Sequence, residues 1–114
     1  MVSSQFLPGS SARRRFAEQF ADLLRRAGTS QAAFARRLGR QLEQDGHLAG
    51  RGEKNLAPRV HDWISGVTLP SRRWVPSLLS ALTDLCRERG VPFRPGVFAW
   101  QWSAAARESR RPPE

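Results

Sequence analysis

The sequence predicts an all-α protein, a compact bundle of about five helices that includes a helix-turn-helix. Apolar residues recur at helical spacing in several segments, and Ser and Gly residues stand where those helices should begin and end. A chain of 114 residues can bury one hydrophobic core but is short for two ordinary domains. We therefore predict one main domain, residues 10–90, followed by an extension at residues 91–110. Residues 1–9 are predicted to be a flexible lead-in and residues 111–114 a disordered tail.

The first helix is predicted to begin at Ser10 or Ser11 and to end near Ala27. A Ser side chain can accept a hydrogen bond from a free amide of the first turn, and Gly28 can adopt the left-handed conformation that ends a helix. One face of this segment is apolar at every turn, which is the strongest periodic pattern in the chain. That face consists of Phe16, Phe20, Leu23, Leu24 and Ala27.

The second helix is predicted to begin after Ser30 and to extend to about Gln44. Gly39 is an earlier possible end, but Leu42 continues the apolar spacing beyond it. A Gly inside a helix costs about 1 kcal/mol relative to Ala, and one additional buried Leu can offset that cost. The buried face is predicted to carry Phe34, Ala35 and Leu38.

The third helix is predicted at about residues 56–65, after a polar, Gly-rich loop at residues 45–55. Asn55 can cap it, Gly66 can end it, and Pro58 fits its first turn, where the missing amide hydrogen is not needed. The apolar stripe of this helix is Val60, Trp63 and Ile64, and the open face carries Arg59, His61, Asp62 and Ser65.

A fourth helix is predicted after Pro70 and Ser71, with its end at Gly90. Pro76 is compatible only with the first turns, so the opening turn is expected to be distorted. Cys86, the only cysteine, can form no internal disulfide and is predicted to be a small core residue. The inward face is predicted to be Val75, Leu78, Leu79, Leu82 and Leu85.

The last element is predicted to be a helix from about residue 97 to residue 110, after a loop at residues 91–96. A short strand at residues 97–102 is the alternative. Phe93 and Phe98 are expected to pack in the core of the domain. For the two tryptophans of this region, Trp100 and Trp102, packing in that core and contact with another chain are both left open.

The charge of the chain predicts a polyanionic partner. Lys and Arg number nineteen against ten Asp and Glu, which gives a formal charge of +9, and every cation except Lys54 is Arg. The planar guanidinium fork of Arg suits phosphate recognition. An Arg-rich composition can also reflect a GC-rich genome. Arg13, Arg14 and Arg15 are accordingly read either as a phosphate clamp or as a solvated turn.

Three motifs resemble the XRE family of bacterial and phage regulators, which has the lambda repressor and Cro type of DNA-binding domain. They are Ser-Gln at residues 30–31, Phe-Ala-Arg-Arg-Leu-Gly at residues 34–39, and Val-x-x-Trp-x-x-Gly-x-x-x-Pro at residues 60–70. The resemblance covers about residues 16–82. It implies a lambda-repressor-like bundle, sequence-specific binding to double-stranded DNA, and a homodimer that reads a palindromic site. The chain departs from the family through an insertion at residues 40–56.

The resemblance also implies which side chains contact DNA. Arg59 is expected to make a bidentate contact with guanine. Asp62, which phosphate would repel, is expected either to form an ion pair with Arg59 or to accept a hydrogen bond from cytosine. The loop of the insertion is either an additional arm on the DNA backbone or a tolerated surface insertion. Base contacts are expected from Ala57, Pro58, Arg59, His61 and Asp62, and phosphate contacts from Gln31, Arg36, Ser65, Thr68, Arg72 and Arg73.

A second hypothesis is a protein-interaction module that has the same fold and binds another regulator or a polymerase subunit through Trp100 and Trp102.

No enzyme, metal site or cofactor is predicted, because the sequence has no nucleophile with a nearby base, no grouped metal ligands and no Gly-rich phosphate loop. No apolar run is long enough for a membrane span, and the start of the chain has no signal-peptide pattern. A bacterial cytoplasmic, nucleoid-associated protein is therefore expected.

Overall fold

The computed structural model describes residues 11–47 and 56–110, and within these residues it contains five α-helices and no strand. The predicted all-α class is confirmed. The predicted lead-in, the C-terminal tail and the Asn55 cap lie outside the described residues. The helices are α1 (Ala12–Ala27), α2 (Gln31–Gln44), α3 (Ala57–Ser65), α4 (Val75–Arg89) and α5 (Pro95–Arg110), with a 3-10 turn at Arg72–Trp74 before α4.

Capping residues set the boundaries of the first two helices, as predicted. The Ser11 hydroxyl accepts from the Arg14 amide at the start of α1, and the Ser30 hydroxyl accepts from the Ala33 amide at the start of α2. Gly28 ends α1 with φ of 71°, in the left-handed region that favours glycine. Helix α2 continues to Gln44 because Leu42 is completely buried there.

Helix α5 begins at Pro95, two residues earlier than predicted, and the alternative of a strand at residues 97–102 is wrong. Proline fits the first turn of a helix, so the Pro-Gly pair lies inside α5 rather than in the loop before it. Helix α5 packs against α1 and α4. Phe98 and Trp102 are buried in the shared core, whereas the side chain of Trp100 is 65% exposed.

Aromatic side chains from four helices meet around Phe20 at the centre of the core. The ring centroid of Phe20 lies 5.9 Å from Phe34 of α2, 6.4 Å from Trp63 of α3 and 5.5 Å from Phe98 of α5. Phe16, one turn earlier on α1, lies 5.9 Å from Phe20. Through Phe98, the C-terminal helix α5 shares one aromatic core with α1, α2 and α3.

Polar side chains tie the two ends of α1 to distant helices. The Glu108 carboxylate of α5 accepts from the backbone amides of Ala12 and Arg13, at 3.0 and 3.2 Å. At the other end, a guanidinium nitrogen of Arg89 in α4 donates to the Ala27 carbonyl at 3.0 Å. A carboxylate at the start and a cation at the end also match the sign of the helix dipole.

Two further contacts join α2 to α4. Arg37 makes a two-point ion pair with Glu88, at 2.7 and 3.2 Å, which raises the pKa of Arg37 and lowers that of Glu88. At the end of α2, the Asp45 carboxylate accepts a hydrogen bond from the buried Ser77 hydroxyl. The predicted core position of Cys86 is confirmed, and its burial raises the pKa of the thiol.

Candidate nucleic-acid interface

Helices α2 and α3 pack directly against each other although the insertion separates them in sequence. After the insertion, the chain comes back close to Gly39. Leu56 Cδ1 lies 3.7 Å from the position that a Cβ atom on Gly39 would occupy. In a helix-turn-helix with a short turn, the second helix would start close to this point. The described part of the insertion therefore lengthens α2 without removing α3 from its neighbour.

Helix α3 has one buried face and one open face. Val60 and Trp63 are buried, and Trp63 stacks on Phe20 of the core. Gly66 ends the helix in the left-handed conformation, with φ of 83°. Of the five predicted base-contact residues, Pro58, Arg59 and His61 are exposed, while Ala57 and Asp62 are half-buried.

The Arg59 side chain contacts the 3-10 turn, and the ion pair expected between Arg59 and Asp62 stays a prediction. The Arg59 guanidinium lies 5.5 Å from the ring centroid of Trp74, within the range of a cation–π contact. Trp74 comes from the 3-10 turn and is half-buried against Trp63, 6.4 Å away. Arg59 is thus in contact with an aromatic ring on the neighbouring segment.

The predicted phosphate contacts lie on three segments. Gln31 and Arg36 are on α2, where Gln31 is half-buried and Arg36 is exposed. Ser65 is exposed at the end of α3, but its hydroxyl already donates to the His61 carbonyl at 2.7 Å. A phosphate that accepts from Ser65 would have to displace that bond. The remaining three, Thr68, Arg72 and Arg73, are exposed beyond α3.

A hydrogen bond from α5 fixes the segment between α3 and α4. The indole Nε1 of Trp102 donates to the Pro70 carbonyl at 2.9 Å, and both residues are buried. The Arg72 guanidinium lies 6.0 Å from the centroid of the same indole ring. The sequence pattern does not predict that Trp74 or Trp102 lies at this surface. The local signal for Trp74 is the Arg-Arg-Trp run, in which an aromatic residue directly follows two cations.

The arginines of α1 contribute less free charge than their number suggests. Arg14 pairs with Glu18, and Asp22 pairs with both Arg25 and Arg26. Arg13 and Arg14 lie beside a surface depression that also contains Ser65. The start of α1 therefore adjoins the end of α3, and both readings of the Arg13–Arg15 run stay predictions.

No helix in residues 11–47 and 56–110 is long and apolar enough to cross a membrane. Across the same residues, no three His, Cys, Asp or Glu side chains are grouped so that they could hold a metal ion. No protein-family model, no curated protein and no solved structure matches the chain. The geometry of α2, α3 and the segment after α3 is therefore the basis for a functional proposal.

Proposed function

We propose that this protein is a sequence-specific double-stranded DNA-binding regulator of transcription, with a helix-turn-helix similar to that of the XRE family. One observation carries the proposal: α3 buries Val60 and Trp63 against the other helices and leaves Arg59 and His61 exposed on its opposite face. An α-helix fits the major groove of DNA, where an Arg side chain can bind both acceptors of a guanine edge.

The surroundings of α3 suit the sugar-phosphate backbone. Arg36 lies on one side of α3, on α2, and Thr68, Arg72 and Arg73 follow α3 in the chain, all of them exposed. A formal charge of +9 favours association with a polyanion. In this proposal Arg59 and His61 read bases, while the other groups hold phosphates and set the orientation of α3 in the groove.

A mobility-shift assay on a random duplex at low and at high salt tests the proposal. Phosphate contacts release counterions, so binding is expected at low salt and should fall steeply as salt rises. Selection of bound sites from a random duplex library should then yield one consensus. If the chain binds no duplex even at low salt, DNA binding is wrong. Salt-sensitive binding without a consensus would indicate an architectural DNA-binding protein instead.

The outer face of α5 supports a homodimer within the same proposal. Trp100 is 65% exposed and Val97, three residues earlier on α5, is 45% exposed. Exposed apolar side chains of this size on one helical face are typical of contact surfaces. A second copy of the chain would bury them and would pair two α3 helices with two half-sites. A symmetric consensus in the selection experiment is the expected sign of this arrangement.

A second candidate function, a protein-interaction module, depends on the same exposed Trp100. In that case the helical fold presents α5 to another regulator or to a polymerase subunit, and DNA binding is not required. The mobility-shift assay separates the two candidates, because the module alone predicts no salt-sensitive binding to a duplex. Both candidates are binding functions of a bacterial cytoplasmic protein that uses no cofactor.

A further inference from the structure

Two polar side chains lie one turn apart near the end of α3, on the face that the proposed function assigns to DNA. They are His61 and Ser65, and both are exposed. The Ser65 hydroxyl donates its one hydrogen to the His61 carbonyl at 2.7 Å. The Nε2 atom of the His61 ring lies 3.5 Å from the same hydroxyl oxygen. Because the hydroxyl hydrogen is already in use, the oxygen meets the ring with its lone pairs.

This contact bears on which ring nitrogen of neutral His61 carries the hydrogen. A neutral imidazole has one N–H donor and one acceptor nitrogen. A lone pair on Nε2 would face the lone pairs of the Ser65 oxygen and repel them, so the arrangement favours the tautomer with the hydrogen on Nε2. The Nδ1 atom is then the acceptor of an exposed ring.

We propose that His61 reads the amino group of adenine or cytosine through Nδ1, and that Ser65 is a positioning residue that holds the ring in the required tautomer. In the major groove, N6 of adenine and N4 of cytosine are donors, whereas O6 and N7 of guanine and O4 of thymine only accept. Phosphate oxygens also only accept, so Nδ1 of neutral His61 cannot bond to the DNA backbone. The inference rests on the function proposed above and names the bases that His61 takes.

The base assignment is tested on the duplex obtained by selection, with each position exchanged in turn. The Kd of the wild-type chain is compared with that of His61→Ala at alkaline pH, where imidazole is neutral. One position should lose its preference in His61→Ala. At that position the wild type should favour adenine or cytosine over guanine or thymine on one strand by about two- to tenfold, the range of one net hydrogen bond.

A base analogue isolates the amino group itself. Where the base read is adenine, it is replaced by 2-aminopurine, which still pairs with thymine but carries its amino group in the minor groove. The wild-type chain should lose about two- to tenfold in affinity on this duplex. His61→Ala should bind both duplexes equally, because it has no acceptor at this place.

Ser65→Ala should reduce the preference towards the level of His61→Ala, and Ser65→Thr, which keeps the hydroxyl, should retain it. A serine that only contacted phosphate would act differently, since its loss would weaken binding to every duplex alike and leave the preference unchanged. Ser80→Ala, an exposed serine of α4, is the matched control and should bind as the wild type does. Thermal unfolding of each variant separates an effect on binding from an effect on folding.

The tautomer is measured without DNA by nitrogen-15 NMR of the imidazole ring at alkaline pH. His47 is the only other histidine in the chain, so His47→Gln leaves one ring in the spectrum. In that background the ring of His61 is expected in the form with the hydrogen on Nε2. Ser65→Ala should add a share of the form with the hydrogen on Nδ1, and Ser80→Ala should not.

Three results would overturn the inference and leave DNA binding intact. They are a preference for guanine or thymine at the position that depends on His61, an equal loss on all duplexes in His61→Ala, and a ring spectrum that Ser65→Ala does not change. A chain that binds no duplex even at low salt would overturn the proposed function, and the base assignment with it.

Discussion

Helices α1 and α3 are held in the protein in different ways. Helix α1 is capped at its start by Ser11 and by Glu108 of α5, and Arg89 of α4 binds the carbonyl group of its last residue. Helix α3 has nine residues, and Leu56 at its start provides no side-chain cap. Isolated helices of that length are marginal in water, so α3 depends on the helices beneath it for its structure.

From this difference we expect stability and the proposed DNA binding to depend on separate parts of the molecule. The buried face of α1 connects to α2, α3 and α5 through Phe20, so a change there affects every layer of the core. The exposed face of α3 contributes Arg59 and His61, neither of which belongs to the buried core. We therefore expect changes in α1 to alter the free energy of unfolding, and changes on the outer face of α3 to alter binding.

The largest effect is expected from Phe20→Ala. Removal of a completely buried ring leaves a cavity among Phe16, Phe34 and Trp63, and such substitutions cost about 3–5 kcal/mol of unfolding free energy. Urea unfolding followed by circular dichroism measures the loss. Val67→Ala is the control, because Val67 is 59% exposed and should change stability by less than about 0.5 kcal/mol. Similar losses from both variants would contradict the central place of Phe20.

Arg59→Ala should change DNA recognition and leave unfolding almost unchanged. Loss of a bidentate contact to guanine is expected to reduce discrimination at one base pair by about 1–3 kcal/mol. Competition binding with duplexes that differ at one position measures this effect. As a comparison, Arg36→Ala should weaken binding to every duplex alike and reduce the salt slope by about one. An unchanged ranking of DNA sites in Arg59→Ala would show that Arg59 reads no base.

Glu108→Gln should lower stability without a direct effect on the α3 surface. The variant loses the negative charge at the start of α1 and can satisfy only one of the Ala12 and Arg13 amides, so a cost of about 0.5–2 kcal/mol is expected. Glu18→Gln is the matched control, since it removes the same charge from an exposed pair with Arg14, worth about 0.3–0.5 kcal/mol. If the two variants melt at the same temperature, the tie between α1 and α5 contributes nothing specific.

Local features of the sequence predicted the helices well, because the physical causes of a helix lie within a few residues of its ends. Ser30 was identified as the start of α2 from its own side chain, and Leu42 was sufficient to extend α2 past Gly39. The early start of α5 at Pro95 was missed because the Pro-Gly pair was interpreted as a loop. That error concerns a position where proline is compatible with both structures.

Contacts between distant segments were not predictable in the same way. Nothing near Glu108 indicates that its carboxylate meets the first amides of α1. Trp100 and Trp102 lie two residues apart, and only the packing of α5 decides that one is exposed and the other buried. For the candidate interface, nothing in the sequence near Arg59 indicates that the fold brings the ring of Trp74 to its guanidinium.

The smallest effect concerns the tie between α2 and α4, and it depends on pH. The hydrogen bonds from Ser77 and Gln41 hold the pKa of Asp45 below its ordinary value of 3.8. A carboxyl whose pKa is lower in the folded state stabilises the fold fully above its unfolded pKa, and this contribution disappears as the pH falls through the folded pKa. The contribution of Asp45 should therefore be complete at pH 5 and decline below about pH 4.

Ser77→Ala removes the first and largest cause of that lowered pKa, so the variant should lose less of its stability between pH 5 and pH 3 than the wild-type chain. Melting temperatures across this range measure the difference. Ser80→Ala, an exposed serine on the same helix, should give the wild-type profile. The carboxyl of Glu88 also has a lowered pKa because of Arg37, and it titrates equally in all three chains. Parallel profiles for Ser77→Ala and the wild type would mean that Asp45 and Ser77 do not join α2 to α4 in solution.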